Sequence, residues 1–347
     1  MTLISSIRVQ HFRIHETYSL AVSPHVTLIT GANGSGKTSL IEALYVALQG
    51  SSFKGSDGTI LQQDAPWYRV DVHFNDETSR TVKFDPVRVT GRKQFIIDEK
   101  TSYRLAPQHK YPVVLFEPDD LRLLGGSPTR RRQFIDRFVS QLDPEYSIAL
   151  RRYERALKQR NTLLKRPTVS TDDLFAWNVS LSEYGSYIIT QRIHFIDELN
   201  QRLSAVYKTI SHTDDVVVIH YSEKSSGNIQ QKLLADLHAR VEKDKILGFT
   251  SVGPHRHDVL FDFNHSPALS VASRGETRSI VLALKFLEVD IIESITNKKP
   301  IILLDDVFSE LDESRQKHLT EFTRRNQMII TSATAGHDID TKFVTHL

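Results

Sequence analysis

One glycine-rich segment near the amino terminus constrains the fold more than any other part of the chain. It reads, in order, Gly31, Ala32, Asn33, Gly34, Ser35, Gly36, Lys37 and Thr38. It follows the apolar run HVTLIT and precedes the amphipathic run TSLIEALYVAL. Glycines let a backbone wrap around a phosphate without Cβ clashes, so that successive N–H groups and a helix N-terminus face the anion. The pattern G-x-x-x-x-G-K-[ST] in this setting predicts a strand, a phosphate-binding loop and a helix, the starting unit of an α/β fold.

The residue types in this loop indicate a nucleotide triphosphate as the ligand. We expect Lys37 to reach the β- and γ-phosphates and the Thr38 hydroxyl to be a ligand of Mg²⁺. A glycine-rich turn that matches the pattern by chance is the alternative, and the flanking strand and helix make it the weaker reading. The predicted cofactors are ATP and Mg²⁺.

A second candidate site lies far along the chain, in the segment IILLDDVFSELD. The four aliphatic residues 301–304 are typical of a strand buried on both faces, which places the following Asp305 and Asp306 at the carboxyl edge of a parallel sheet. We expect Asp305 to hold Mg²⁺ through a water molecule, and Asp306 to orient or deprotonate the attacking water. The predicted catalytic residues are therefore Lys37, Asp305 and Asp306. A helix N-cap is the alternative role for the paired aspartates.

A third element, SRGE, stands between these two sites in the sequence. Ser273, Gly275 and Glu276 lie just before the long apolar run that starts at Ile280. A serine hydroxyl and a glycine N–H at a helix N-terminus can form a second anion site. The order of phosphate loop, long insertion, Ser-x-Gly-Glu and acidic strand is the order found in ABC-type ATPase heads. In those heads the Ser-x-Gly element of one subunit caps the γ-phosphate bound to another, so we expect these three residues to act in trans. An ordinary helix cap is the alternative.

The hydrophobic pattern divides the chain into three stretches. Residues 1–118 read as strands in a meander with one helix, residues 119–247 as mostly helical, and residues 248–347 as α/β again. In the helical stretch, Ser127 and Pro128 resemble an N-cap and a first helical residue. A predicted buried seam consists of Tyr146, Leu150, Tyr153, Leu157 and Leu164. A kink is expected at Gly185. The predicted fold is an α/β, P-loop ABC-type ATPase head with a β-meander, carrying an inserted, mostly helical second lobe.

Composition limits the environment in which the chain can work. The 347 residues include no cysteine, which is typical of an intracellular protein without disulfides. The amino-terminal segment lacks the unbroken apolar run of a signal peptide, and no segment approaches the roughly 20 apolar residues of a membrane span. We therefore expect a cytoplasmic, nucleoid-associated protein with no membrane partner.

Positive charge is concentrated in one part of the chain. The net charge is +2, yet residues 130–166 contain eleven basic and four acidic residues, a local net of +7. Phosphate contacts made by such residues bind DNA without reading its sequence. The predicted DNA contacts are Arg130, Arg131, Arg132, Arg151, Arg152, Arg155 and Lys158. A solvated helix face is the alternative for this segment, and Arg130, Arg131 and Arg132 could equally pair with acidic groups between lobes.

Nearly the whole chain resembles the RecF family of bacterial recombination mediators. The segments that carry the resemblance are GANGSGKTSLIEALY (31–45), VVLFEPDDLRLLGGSPTRRRQFID (113–136), LKQRNTLLK (157–165), GPHRHD (253–258), SRGETRS (273–279) and LLDDVFSELD (303–312). The GGSPTRRRQFID and GPHRHD segments are more specific to this family than the nucleotide motifs. The resemblance implies an SMC-like head, ATP-dependent homodimerisation on single-stranded, duplex or gapped DNA, and slow, DNA-stimulated hydrolysis. It also implies cooperation with RecO and RecR to load RecA at single-strand gaps.

The chain departs from the family pattern at a few positions. His257 and Asp258 stand where two acidic residues often follow the GPH[RK] element. Ser332 stands where many ABC-type ATPases have a histidine after the last strand, with His337 a few residues further on. Glu117 stands near the place of a magnesium-sensing glutamine.

Two other classes of protein share some of these features. The nucleotide-binding subunit of a transporter has the same three ATP motifs, but the basic helical lobe and the family-specific segments argue against it. A scaffold with a vestigial ATP site is the non-enzyme alternative, and the intact Lys37, Thr38, Asp305 and Asp306 argue against that.

Overall fold

A computed structural model of the chain describes residues 2–87, 91–166, 168–223, 227–333 and 344–347. The chain divides into two compact units. Unit 1 comprises Met1–Asp120 and Glu288–Leu347, and unit 2 comprises Leu121–Leu287.

Unit 1 contains an antiparallel sheet of six strands in the order β2-β1-β4-β5-β6-β7. The strands are β1 (Ile4–Phe12), β2 (His15–Ala21), β4 (Tyr68–Phe74), β5 (Ser79–Phe84), β6 (Lys93–Ile97) and β7 (Lys100–Ser102). Buried and accessible residues alternate along β4, as expected for a strand with one face on the core. The predicted meander is present in β4, β5 and β6, whose segments were identified from this alternation.

A second sheet in unit 1 has five parallel strands in the order β14-β3-β13-β12-β8. These strands are β3 (Val26–Thr30), β8 (Val113–Phe116), β12 (Ile301–Asp305), β13 (Met328–Ser332) and β14 (Val344–His346). Every residue of β8, β12 and β13 is buried, which is why these segments read as continuous apolar runs.

Helix α1 (Lys37–Gln49) packs against strands of both sheets. Its residues 40–48 are at most 6% exposed, because the helix is enclosed on all sides. A helix that is hydrophobic all round needs such surroundings. This packing makes α1 the centre of the hydrophobic core of unit 1. The unit also contains the short α2 (Asp57–Ile60) and, after β12, α10 (Glu313–Thr323).

Unit 2 is mostly helical. Its helices are α3 (Pro128–Leu142), α4 (Pro144–Leu164), α5 (Thr171–Ser211), α6 (Ile229–Ala239), α7 (Val241–Leu247), α8 (Ala268–Val271) and the first half of α9 (Arg274–Thr296). A three-stranded antiparallel sheet has the order β11-β10-β9, with β9 (Val217–Tyr221), β10 (Val259–Phe263) and β11 (Ser266–Pro267). The predicted cap at the start of α3 is confirmed, since the Ser127 side chain accepts a hydrogen bond from the Arg130 N–H.

The boundaries of the units differ from the sequence-based division in one respect. The first break, at Asp120, lies close to the expected 118, but unit 2 continues to Leu287 instead of ending near 247. The reason is that β10 pairs with β9, which ties the segment after 248 to the helical unit. This pairing joins strands almost forty residues apart in sequence, and local patterns do not reveal it.

Two expectations about the helices also need correction. The buried stripe of α4 is Tyr146, Ala149, Tyr153, Ala156, Arg160 and Leu164, while Leu150 and Leu157 of the predicted seam are only partly buried. Helix α5 runs through Gly185 without a break. A Cβ on Gly185 would lie 2.7 Å from Leu233 Cδ2 and 3.1 Å from Tyr153 Cε2, so the glycine permits close helix packing.

Candidate nucleotide-binding site

The glycine-rich loop joins β3 to α1 and has the backbone conformation that its sequence requires. Gly34 and Gly36 have φ values of 86° and 97°, a region that residues with a Cβ rarely adopt. A Cβ on Gly36 would also lie 2.4 Å from His15 Nε2, and that nitrogen is 3.1 Å from the Gly36 carbonyl oxygen. Because of both constraints, a glycine is needed at this position of the loop.

Lys37 begins α1 and lies over the loop. Its Nζ donates hydrogen bonds to the carbonyl oxygens of Gly31 and Ala32, at 2.6 and 2.9 Å, and the residue is 6% exposed. The ammonium group is therefore held at the concave side of the phosphate loop. It is placed to compensate the charge of a triphosphate there.

Asp305 is the point where distant segments meet. The Thr38 hydroxyl donates to Asp305 Oδ1 at 2.7 Å, and the Thr331 hydroxyl lies 3.1 Å from the same oxygen. Lys54 Nζ lies 3.1 Å from Asp305 Oδ2. Asp305 itself is 2% exposed, so this buried carboxylate is stabilised by one ammonium group and two hydroxyls.

The donor set at Asp305 fits Mg²⁺. A carboxylate and a threonine hydroxyl are hard oxygen ligands, and Mg²⁺ commonly keeps several waters and substrate phosphates as its remaining ligands. Over the ranges that the structure describes, no group of three or more His, Cys, Asp or Glu side chains could hold a metal ion. Thr38 and Asp305 would thus hold Mg²⁺ together with a bound phosphate, not as a closed protein cage.

Other acidic residues reach the same edge of the parallel sheet. Asp306 follows Asp305 with a left-handed φ of 54°, and its N–H donates to the backbone oxygen and the hydroxyl of Thr331. Glu117 comes directly after β8, whose last residue Phe116 is paired with Leu304. This register brings Glu117 level with Asp305 at the carboxyl ends of neighbouring strands, where ligands bind in parallel sheets.

The Ser-x-Gly-Glu element forms a reciprocal cap at the start of α9. The Glu276 N–H donates to Ser273 Oγ at 3.2 Å, and the Ser273 N–H donates to Glu276 Oε2 at 2.6 Å. This capping box is the ordinary helix-cap role considered in the sequence analysis. Since Ser273 Oγ accepts in the box, its own hydrogen can still be donated to an anion near Gly275. The element belongs to unit 2, whereas the phosphate loop belongs to unit 1.

The basic segment separates into structural and exposed members. Arg131 is 7% exposed and forms a bidentate ion pair with Asp258, at 2.8 and 2.7 Å. Arg132 donates to the His257 carbonyl oxygen at 2.6 Å. Both side chains thus have structural partners inside unit 2, where the sequence analysis had proposed DNA contacts or inter-lobe pairs.

The remaining predicted contacts lie further out. Arg130 is partly buried, while Arg151, Arg152, Arg155 and Lys158 of α4 are exposed. Arg151, Arg155 and Lys158 form an accessible basic face opposite the buried stripe of that helix. Arg152 lies at the side of this face, and its guanidinium is 5.6 Å from the ring centre of Tyr184.

Arg160 shows why local charge alone misleads. It was counted in the basic segment, yet it is fully buried and pairs with Asp244 at 2.7 Å, both side chains being 0% exposed. Its guanidinium also donates to Asn178 and Thr250. A hydrogen-bonded pair of this kind holds α4, α5 and α7 together.

The two family-specific segments contact each other. Arg131 and Arg132 of GGSPTRRRQFID bond to Asp258 and His257 of GPHRHD. Asp136 of the first segment forms an ion pair with Arg192, and Arg192 donates to the carbonyl oxygen of Pro254 in the second, at 2.8 Å. The specificity of these segments therefore corresponds to one polar network inside unit 2.

The histidines of GPHRHD are neutral members of this network. Burial lowers the pKa of His255 to about 4 and that of His257 to about 4. His255 Nε2 lies 3.1 Å from the Thr250 carbonyl oxygen, which can only accept, so Nε2 carries the proton and Nδ1 accepts from the Tyr153 hydroxyl at 2.7 Å. His257 Nδ1 lies 2.9 Å from the Tyr221 hydroxyl. The position where an acidic residue is often found thus holds an uncharged imidazole.

Three residues of the site were missed by the sequence analysis. These are Lys54 and Thr331, which contact Asp305, and His15, which packs on Gly36. Lys54 is 251 residues from its partner Asp305, and no local pattern marks Lys54 as part of the site. Ser332 is buried at the end of β13, and His337 lies outside the described residues.

Comparison with known proteins identifies the class first. The phosphate loop, the acidic strand and the parallel sheet define a P-loop ATPase head, and residues 3–340 match the family model described as RecF/RecN/SMC N terminal domain. The chain thus has the SMC-type, ABC-related ATPase fold expected from the sequence.

The more specific comparisons agree with one another. The chain is 35% identical over 349 residues to the DNA replication and repair protein RecF of Streptococcus agalactiae, covering 96% of this chain and 92% of the relative. It is 33% identical over 336 residues to the RecF of Clostridium novyi, covering 94% and 92%. A solved structure described as the recombination mediator protein RecF-ATP in the RecFOR pathway matches with a TM-score of 0.87 and 28% identity, over 99% of this chain and 95% of the other. The chain belongs to the RecF family.

In the part of the chain that the structure describes, no helix is both long and apolar enough to cross a membrane.

Proposed function

We propose that this protein is an ATP-dependent, DNA-binding recombination mediator that hydrolyses ATP slowly and forms an ATP-gated homodimer. The observation that carries the proposal is the contact of Thr38 with Asp305, 2.7 Å apart, beside a glycine loop with left-handed Gly34 and Gly36. This arrangement suits a triphosphate with its metal ion, and family membership places it in a protein of DNA replication and repair.

The residues of unit 1 have separable roles in this proposal. The loop N–H groups from Gly31 to Thr38 and the Lys37 ammonium bind the phosphates, while Thr38 and Asp305 hold Mg²⁺. When bound, the metal ion neutralises charge on the β- and γ-phosphate oxygens. Asp306 orients the attacking water and accepts its proton.

The dimer depends on the cap of α9. Ser273, Gly275 and Glu276 of one copy contact the γ-phosphate on the loop of the other, so that nucleotide is part of the interface. ATP then favours the closed dimer because it binds that state better than the open one. Loss of the γ-phosphate removes the contact and the dimer opens.

DNA contacts are proposed for the exposed basic face of α4. Arg151, Arg152, Arg155 and Lys158 are accessible, and such residues contact phosphates without reading sequence. Arg130, which is partly buried, is a weaker candidate for a DNA contact. Arg131 and Arg132 are assigned to the network inside unit 2. Single-stranded, duplex and gapped DNA are all proposed substrates, with the protein acting in the cytoplasm at the nucleoid.

The partner proteins follow from the pathway named for the similar solved structure, RecFOR. We infer that RecO and RecR cooperate with this protein to load RecA at single-strand gaps during DNA repair and replication restart.

The decisive experiment measures DNA binding by fluorescence anisotropy with duplex, single-stranded and gapped DNA, with and without ATP. We expect ATP to raise the affinity of the wild type, whereas Lys37→Met removes the ATP effect but leaves ATP-independent binding. Equal affinities with and without ATP for all three DNAs would contradict the proposal.

A companion variant tests the α4 face. Arg151→Glu combined with Arg155→Glu is expected to weaken binding and to reduce the slope of log affinity against log salt by about 0.9 per lost phosphate contact. Lys243→Glu combined with Lys317→Glu, at exposed positions of α7 and α10, gives the same total change in charge and serves as the control.

A further inference from the structure

Unit 1 contains a cavity of about 680 Å³ that is separate from the phosphate loop. Its lining includes Thr2, Pro112 and Lys299, which stand just before or close to the starts of β1, β8 and β12. Strands β8 and β12 are parallel, and their opposite ends carry Glu117 and Asp305. A five-residue strand spans about 17 Å, so the cavity lies at the far edge of the sheet from the nucleotide site.

Basic residues outnumber acidic ones in the lining. The cations are Arg80, Lys110, Lys298 and Lys299, and the carboxylates are Asp98 and Glu293. The charge of Glu293 is partly offset from outside the lining, because its Oε2 lies 3.5 Å from Arg325. Asp76 stands beside the lining, where it accepts from Thr2 and Thr78, so four cations face three carboxylates. This excess of positive charge suits an anion.

Arg80 is the buried cation of the lining. The residue is 3% exposed and its guanidinium donates to the carbonyl oxygens of Ala47, at 2.7 Å, and His109. It stacks 5.2 Å from the ring centre of Tyr111. Among the described residues it has no carboxylate partner, and its Nε is buried without an acceptor.

A buried cation without a counter-charge is energetically costly. Burial lowers the pKa of Arg80 to about 10, which reflects this cost. The carbonyls of Ala47 and His109 offset part of it, but they supply no net negative charge. An anion held nearby by the lysines would supply that charge.

The shape of the site indicates what kind of anion it takes. The cavity volume falls within the roughly 300–1,000 Å³ of typical small-molecule sites. Lysine ammonium groups are point-charge partners for phosphate oxygens. The lining also includes the hydroxyl of Ser79, whereas the hydroxyls of Thr2 and Thr78 donate to Asp76.

We propose that this cavity binds a small phosphorylated organic molecule, whose phosphate is contacted by Lys110, Lys298 and Lys299 in the cavity that the buried Arg80 also lines. The site is independent of the ATP site and of the proposed role in recombination. Unit 1 would then have two separate binding sites for anionic ligands.

Calorimetric titration of the full-length Lys37→Met protein tests the proposal, since that change weakens competition from the phosphate loop. Ribose 5-phosphate and inorganic phosphate are the two probes, at constant ionic strength. We expect saturable one-to-one binding of ribose 5-phosphate that is tighter than binding of inorganic phosphate. Adding Lys298→Gln and Lys299→Gln is expected to weaken it roughly 2- to 5-fold per lysine. Adding Lys317→Gln instead, at an exposed position of α10, is expected to change nothing.

Three outcomes would overturn the proposal. They are equal affinity for the two probes, no binding of either probe, and an unchanged affinity for ribose 5-phosphate in the Lys298→Gln, Lys299→Gln protein. The effect of Arg80 is measured separately, as the rise in Tm on adding ribose 5-phosphate, which Arg80→Gln should abolish whatever its starting Tm. If Arg80→Gln does not fold, the double lysine variant decides the question.

Discussion

Asp305 shows how one side chain can connect segments that are remote in sequence. Its two oxygens receive the hydroxyls of Thr38 and Thr331 and the ammonium group of Lys54. Because the carboxylate is almost fully buried, its negative charge is expressed mainly toward these three partners. A cation that enters the site therefore meets an oriented ligand and does not have to organise one.

The first prediction concerns this carboxylate. Asp305→Asn keeps the shape of the side chain but removes its charge, so Mg²⁺-dependent ATP hydrolysis should fall roughly 100-fold. Binding of ATP without Mg²⁺ should remain, because the loop and Lys37 are untouched. Steady-state ATPase assays and filter binding measure the two quantities, and Asp197→Asn, at an exposed position of α5, is a control outside the site. Hydrolysis at the wild-type rate would show that Asp305 is not needed for it.

Much of this site could be read from the sequence, and the reason is local. The loop from Gly31 to Thr38 is one continuous segment whose glycines, lysine and threonine each serve one purpose at a fixed spacing. Lys54 could not be found this way, because its partner follows it by 251 residues and a lone lysine after a helix has many possible uses. The burial of Arg131 and Arg160 was likewise hidden, since a basic residue looks the same in a sequence whether it meets water or a carboxylate.

At the scale of elements, the GPHRHD turn is held by hydrogen bonds from three directions. His255 bonds to Tyr153 of α4 and to Thr250, and His257 bonds to Tyr221 of β9. Protonation of His255 removes the Nδ1 lone pair that accepts from the Tyr153 hydroxyl. The turn therefore couples packing in unit 2 to the protonation of two histidines.

The second prediction follows from the pKa values of these histidines, which are about 4 in the folded protein against 6.5 for an ordinary histidine. Between pH 6.5 and 4 the unfolded chain binds more protons than the folded one, so the free energy of unfolding falls as the pH drops through this window. Each histidine contributes at most about 1.4 kcal/mol per pH unit, and above pH 6.5 the contribution is constant.

Urea unfolding of the full chain at several pH values between 7 and 5 measures this slope. His255→Asn combined with His257→Asn should make it shallower, even if the double variant is less stable at pH 7. His238→Asn, at an exposed position of α6, should keep the wild-type slope. Equal slopes in the double variant and the wild type would contradict the assignment.

The elements themselves were predictable where one pattern dominated. The alternation in β4 and the apolar runs of β12 and β13 identified those strands, and Ser127 with Pro128 marked the start of α3. The pairing of β9 with β10 and the extent of unit 2 depend on contacts between distant strands, which carry no local signature. The expected bend of α5 at Gly185 is not present, because the glycine instead makes room for Leu233. A sequence pattern does not distinguish these two uses of a glycine.

At the scale of the whole molecule, the proposed switch depends on two copies of the chain. Unit 1 carries the phosphate loop and unit 2 carries the capped Ser-x-Gly-Glu element, which is the distribution expected if nucleotide is shared between subunits.

The third prediction tests this arrangement directly. Ser273→Arg places a long side chain at the proposed γ-phosphate contact and should abolish ATP-dependent dimerisation while leaving ATP binding by each monomer intact. Light scattering after size exclusion, with and without a slowly hydrolysed ATP analogue, gives the mass. Ser266→Arg, in β11 of the same unit, is the matched control. A variant at Ser273 that dimerises as the wild type does would disprove the contact in trans.

The enclosure of α1 between two sheets has a mechanical consequence. The helix has no solvent-facing side, so a shift of α1 would displace core side chains of both sheets. Lys37 and Thr38 lie in the first turn of this helix. We therefore expect α1 to stay in place during the proposed ATP hydrolysis. Any movement that accompanies hydrolysis is then expected in the parts of the proposed dimer that contact the nucleotide from outside α1, such as the Ser-x-Gly-Glu element of the second copy.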